Sequence, residues 1–163
     1  MPVDWALSRP RRVNWIPFAL KAIDCGVDGL VVEGGEGGGF KNPSPVSTMV
    51  LLPLIRSRVD VPIIAAGGIA DGLSMAGAFA MGAEGVQMGT RMLSCLESPV
   101  HNNWKQAVVA AKETDTVFLN QASRPALRAL RTQRTEDLLP LCVVLRMPVP
   151  VDRSRRGRVK TSA

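Results

Sequence analysis

Val61–Thr90, VPIIAAGGIADGLSMAGAFAMGAEGVQMGT, decides how the chain is read. Val61–Ala66 is an apolar run of strand length, and Gly67-Gly68 follow at its carboxyl end. Asp71–Met81 has helical character: Leu73, Ala76, Ala80 and neighbouring apolar residues recur at spacings of three and four. Gly82 ends that helix. Glu84–Met88 is a second short strand, closed by Gly89-Thr90. The order is strand, glycine turn, helix, strand, glycine turn.

This order suits anion binding. Parallel strands set their carboxyl ends side by side, and a glycine at each end lets backbone amides approach one anion without a Cβ in the way. A helix N-terminus next to such a turn adds partial positive charge, and the Thr90 hydroxyl is one more donor. Many (β/α)8 barrels build a phosphate site of this kind after their seventh and eighth strands. The competing reading is two ordinary βα turns in which glycine only solves a tight bend. Two glycine turns one βα unit apart favour the phosphate site.

The rest of the chain extends the pattern. Met1–Arg12 carries two prolines and three arginines without a period, and reads as a poorly ordered lead. Val13–Cys25 reads as a helix with Ile16, Leu20 and Ile23 on one face, ended by Gly26, and Pro17 fits only near its start. Asp28–Glu33, DGLVVE, is a strand. GGEGGGF follows, with five glycines in seven residues, either a flexible loop or backbone that must approach a planar ligand closely. Ser47 is a candidate N-cap for a helix through Met49, Leu51, Leu52, Leu54 and Ile55. Arg91–Leu96 reads as a short helix, with a salt bridge to a nearby helix as the plain role of Arg91. His101–Ala111 is a further helix, whose leading His101 is read as solvent-facing or capping. Thr114–Leu119 is a strand, and Pro125–Arg134 is helical by the spacing of Leu127 and Leu130.

AAGGIADG, GAEGVQMGTR, SPVHNNWKQA and TDTVF, in this order and spacing, resemble the flavin-dependent nitronate monooxygenase (2-nitropropane dioxygenase-like) family, whose FMN-dependent enoyl reductase relatives share much of the pattern. The resemblance runs from about Val13 to about Arg134. It implies an FMN-dependent oxidoreductase that oxidises alkyl nitronates, or a related acid, with molecular oxygen. It implies that Gly67, Gly68, Gly89 and Thr90 hold the FMN phosphate, that Gln87 and Met88 contact the flavin, and that Glu33 and Gly38 face its ring or ribityl chain. Many members place a histidine base directly after the glycine run; here that position is Phe40, which cannot take a proton, so the catalytic residues are unassigned.

Length limits the fold. The chain has 163 residues, whereas a complete (β/α)8 barrel takes about 250. Roughly four βα units fit, so the expected fold is α/β, the C-terminal half of a barrel, over residues 13–135 between the lead (1–12) and a divergent basic tail (136–163). A half barrel leaves two strand edges and an apolar inner face uncovered. It needs a second copy or the missing half.

The net charge of +6 is concentrated at the end of that tail, in residues 146–163, where Arg146, Arg153, Arg155, Arg156, Arg158 and Lys160 face Asp152 alone. The charge therefore describes a tail rather than a nucleic-acid-binding face. Cys25, Cys95 and Cys142 have no metal-ligand spacing and read as reduced cytoplasmic thiols. No apolar run is long enough for a membrane span. Two other functions stay open: a non-catalytic flavin- or phosphate-binding remnant, and a barrel lyase or isomerase acting on a phosphorylated substrate, for which Glu33 and Glu36 are the only strand-end carboxylates.

Overall fold

The computed structural model describes residues 10–42, 44–120 and 126–144. Four βα units run in sequence: β1 (Pro10–Val13) with α1 (Ile16–Asp24), β2 (Gly29–Glu33) with α2 (Thr48–Arg56), β4 (Ile63–Ala66) with α3 (Gly72–Ala80), and β5 (Gly85–Gln87) with α4 (Thr90–Leu93). Their strands form one parallel sheet in the order β1-β2-β4-β5. A short strand β3 (Gly39–Lys41) lies between β2 and α2. After α5 (Asn102–Ala110) come β6 (Thr116–Leu119), β7 (Ala126–Leu130) and α6 (Gln133–Val144). β3, β7 and β6 form a second, antiparallel sheet. This is an α/β chain with a barrel-like half sheet and an antiparallel addition.

One face of the parallel sheet holds the core. Leu30 and Val32 of β2 and Ile63 and Ala65 of β4 are fully buried, and they pack with Ala19 of α1, Leu51, Leu52 and Ile55 of α2, and Ala78 of α3. The alternation follows from the pleat, which sends every second side chain to the helices. The packing thins towards β5: α3 buries only Ala78 and leaves Leu73 84% exposed, and neither α4 nor α5 has a buried residue. Among the described residues, β1 and β5 are the unpaired edges of the sheet, as the length argument requires.

Three sequence expectations are corrected. Residues 10–12 do not belong to an irregular lead: Pro10–Val13 is a strand whose residues pair in parallel with Gly29–Val32. Proline at the first position of an edge strand costs no ladder bond, so Pro10 is compatible with it. Residues 1–9 lie outside the described residues.

The helix expected over Pro125–Arg134 is replaced in most of its described part: Pro125 lies outside the described residues, and only Gln133 and Arg134 are helical, as the start of α6. Ala126–Leu130 is β7, paired antiparallel with both β3 and β6. Ala, Leu and Arg are good helix formers, but two-sided strand pairing outweighs an intrinsic preference of a few tenths of a kcal/mol per residue. In α1, Ala19 rather than Leu20 faces the core; Leu20 is 42% exposed.

Ser47 occupies the N-cap position of α2 without a side-chain capping bond; the capping group comes from elsewhere, as described below. Past Glu136 the chain continues in α6 to Val144, and residues 145–163 lie outside the described residues. Among the described residues no helix is long and apolar enough to cross a membrane.

Candidate functional site

The register of the parallel sheet sets Glu33, Ala66 and Gln87 abreast at the carboxyl ends of β2, β4 and β5. Three turns leave the sheet from this row: the glycine loop after Glu33, Gly67-Gly68, and Met88-Gly89-Thr90. Residues more than fifty positions apart in sequence thus meet at one end of the sheet, where open α/β sheets place their ligands.

The Gly67-Gly68 turn is built by glycine chemistry. Gly67 and Gly68 have φ of 90° and 76°, a region that L side chains rarely adopt. A Cβ on Gly67 would also sit 3.0 Å from the Gly37 nitrogen and 3.2 Å from the Gly34 oxygen. The glycine loop is therefore packed directly onto this turn. Gly89 differs: it precedes α4 without positive φ, and nothing lies within 4 Å of where its Cβ would be. No bond from the backbone amides of Gly68, Gly89 and Thr90 to another described residue is present. Exposed amides without a protein acceptor at two adjacent strand ends are the donor set an anion needs.

The loop is held by side chains to which the sequence assigns no such role: Glu36 stands out there only as a strand-end carboxylate, and Thr48, Arg128 and Lys41 not at all. The Glu36 carboxylate accepts from the Thr48 amide at 2.9 Å and the Thr48 hydroxyl at 2.9 Å. It thereby caps α2 in place of Ser47 and complements the positive end of that helix. The Thr48 hydroxyl also reaches the Gly67 oxygen at 2.8 Å. Arg128 of β7 donates to the Gly35 oxygen at 3.0 Å and to the Thr116 hydroxyl at 3.1 Å. Lys41, on β3, forms an ion pair with Glu33. No local signal marks these partners, because the Arg128–Gly35 bond spans 93 positions.

The expected site residues divide accordingly. Gly67, Gly68, Gly89 and Thr90 come together at the strand ends. Gln87 and Met88 line a shallow apolar groove with Val31, Ile64, Val86 and Met92. Glu33 sits in the same row, but its carboxylate engages Lys41. Gly38 lies at the end of the loop, just before β3, next to the backbone of Arg128. Phe40, on β3 with 63% exposure, is in register with Leu127. Its neighbour Lys41 is buried, so the strand sends the two side chains to opposite sides. His101 caps α5, its Nδ1 accepting from the Asn103 amide at 3.2 Å. No cluster of three His, Cys, Asp or Glu among the described residues has metal-binding geometry.

Four βα units with a ligand-ready carboxyl end define one half of a (β/α)8 barrel. Residues 13–158 match the nitronate monooxygenase family, and the chain belongs to that family of flavin-dependent oxidoreductases. It is 38% identical over 154 residues to a probable nitronate monooxygenase of Staphylococcus aureus, a match covering 85% of this chain and 43% of the relative. It is 41% identical over 120 residues to (3aS,4S,5R,7aS)-5-hydroxy-7a-methyl-1-oxo-octahydro-1H-indene-4-carboxyl-CoA dehydrogenase of Rhodococcus jostii, covering 74% of this chain and 33% of that enzyme. Among solved structures, FabK from Thermotoga maritima superposes with a TM-score of 0.77 at 39% identity, over 81% of this chain and 42% of FabK. The chain thus spans less than half the length of these relatives, and its family match runs past Glu136.

Proposed function

We propose that this chain is the FMN-binding half of an oxidoreductase of the nitronate monooxygenase type, acting on an alkyl nitronate or related acid with molecular oxygen as electron acceptor. The observation that carries the reading is the pair of glycine turns at the adjacent ends of β4 and β5, where the Gly68, Gly89 and Thr90 amides have no acceptor among the described residues. Gly67, Gly68, Gly89 and Thr90 would hold the phosphate. The groove of Val31, Ile64, Val86, Met88 and Met92, with Gln87 as its polar member, offers an apolar wall to a planar ring. FMN, when bound, supplies the redox chemistry. The chain's own residues anchor the phosphate, present the wall and keep the glycine loop close to it.

With Phe40 where many members carry a histidine, no base stands at that position. A nitronate that is already anionic needs none. A second reading draws on the same residue: a binding half without turnover, whose open edges at β1 and β5 a second copy or the other barrel half would close. An enoyl reductase-like or dehydrogenase-like activity is the catalytic alternative, in line with the name of the Rhodococcus relative.

The test is a visible absorption spectrum of the purified chain titrated with FMN. A bound-flavin spectrum at one FMN per chain, followed by oxygen uptake with a nitronate, is the expected result. Folded protein that leaves FMN free in solution overturns the reading. Flavin binding without turnover selects the non-catalytic half.

A further inference from the structure

Thr48 is the residue through which three segments of the site touch one another. It is 7% exposed, at the first position of α2. Its hydroxyl lies 2.8 Å from the Gly67 oxygen, 3.3 Å from the Ala66 oxygen and 2.9 Å from a Glu36 carboxylate oxygen. Glu36 has a second donor, the Thr48 amide at 2.9 Å, so it does not depend on the single hydroxyl proton. The Ala66 oxygen likewise has its own donor in the Gly34 amide at 3.1 Å. The Gly67 oxygen has the Thr48 hydroxyl as its donor among the described residues.

That bond fixes more than a carbonyl. In a planar trans peptide, the carbonyl of one residue and the amide of the next point in opposite directions. Holding the Gly67 oxygen on Thr48 therefore directs the Gly68 N–H away from Thr48 and α2. Gly67 and Gly68, at φ of 90° and 76°, have no side chains to oppose rotation of the peptide between them. Left to itself this peptide has at least two orientations of comparable energy, and only one of them presents the Gly68 amide in this direction.

We propose that Thr48 is a positioning residue for phosphate recognition: its hydroxyl locks the Gly67–Gly68 peptide so that the Gly68 amide is offered to the anion. The assignment deepens the reading of this end of the sheet as the FMN phosphate site and rests on it. Glu36 supports Thr48 from the other side, by holding its backbone amide. The glycine loop, α2 and the phosphate turn thus form one hydrogen-bonded unit.

The experiment compares FMN with riboflavin, which has the same ring and ribityl chain but no phosphate. Thr48→Val keeps the branched shape and removes the hydroxyl; Thr48→Ser keeps the hydroxyl. The expected result is that Thr48→Val weakens FMN binding on the order of tenfold and leaves riboflavin binding unchanged, while Thr48→Ser retains the wild-type ratio. A purely structural role would weaken both ligands together. An unchanged FMN-to-riboflavin ratio in folded Thr48→Val overturns the assignment and leaves the flavin reading intact.

A second measurement covers a variant that does not fold. In the wild-type chain, titration with inorganic phosphate should shift the Gly68 amide resonance, and a Gly68 amide that ignores phosphate overturns the assignment. A chain that shows this shift but binds no FMN supports the phosphate turn and overturns the flavin reading.

Discussion

Lys41 and Glu33 form an ion pair that joins the two sheets. Lys41 belongs to β3 of the antiparallel sheet, and Glu33 ends β2 of the parallel one. The lysine side chain is 3% exposed and the glutamate side chain 13%. The pair closes the base of the glycine loop, and a Cβ on Gly37 would collide with both partners.

Removing one member takes this counter-charge from the other. Lys41→Met leaves the Glu33 carboxylate buried without its cation, and the expected loss of stability is about 3 kcal/mol. The double variant Glu33→Gln with Lys41→Met should recover part of that loss, because no charge then remains buried. Urea unfolding of the wild type and the variants measures it. A double variant as unstable as Lys41→Met would refute the pairing as the cause.

The two glycine turns should respond differently to a methyl group. Gly67→Ala forces a side chain into positive φ and against the Gly37 nitrogen at 3.0 Å, and should cost about 1–3 kcal/mol. Gly89→Ala meets nothing within 4 Å, so its stability should stay within about 0.5 kcal/mol of wild type. Any loss of FMN affinity in Gly89→Ala then reports crowding of the ligand itself. Thermal unfolding with and without FMN separates the two effects.

Phe40 is 63% exposed on a short strand, so replacing it disturbs little packing. Phe40→His should fold with wild-type stability to within about 0.5 kcal/mol. If the flavin reading holds, it should also raise turnover of neutral nitroalkanes, which must lose a proton, by about a hundredfold. Turnover of preformed nitronates should change little. Parallel assays with the neutral and anionic forms decide it, and equal effects on both would exclude histidine as a base at this position.

Asp71 caps α3, accepting from the Ser74 amide at 2.8 Å and the Ser74 hydroxyl at 2.6 Å. The Ser74 hydroxyl and amide, in that order, hold its carboxyl below the ordinary value of 3.8. A carboxylate with a depressed folded-state pKa stabilises the fold above its unfolded value, and that contribution fades as pH falls through the lower folded value. Asp71→Ala should therefore lower the melting temperature at neutral pH, and the difference from wild type should shrink as the pH is taken below 3.8. A difference that does not change with pH would show that the cap acts without its charge.

The sequence by itself determined the elements with a strong local period and the count that limits them. Leu30–Val32 and Ile63–Ala65 announce buried strands because every residue in each run is apolar. Asp71 and Gly82 bracket α3 because capping and positive φ are local chemistry. Four such units make half a barrel. The glycine turns at the ends of β4 and β5 were legible for the same reason: a turn is written in the residues that make it.

Tertiary structure decided what depends on partners far along the chain. Pro10–Val13 is a strand because β2 pairs with it, and its arginine-rich sequence carries no such signal. Ala126–Leu130 looks helical alone and becomes a strand because β3 and β6 offer backbone on both sides. Ser47 had the right identity and position for a cap, yet Glu36 reached α2 from twelve residues away. Lys41, Thr48 and Arg128 acquired their roles only when folding brought Glu33, Gly67 and Gly35 to them. A hydrogen bond or ion pair leaves no periodicity in either of its partners, so these contacts could be found only in three dimensions.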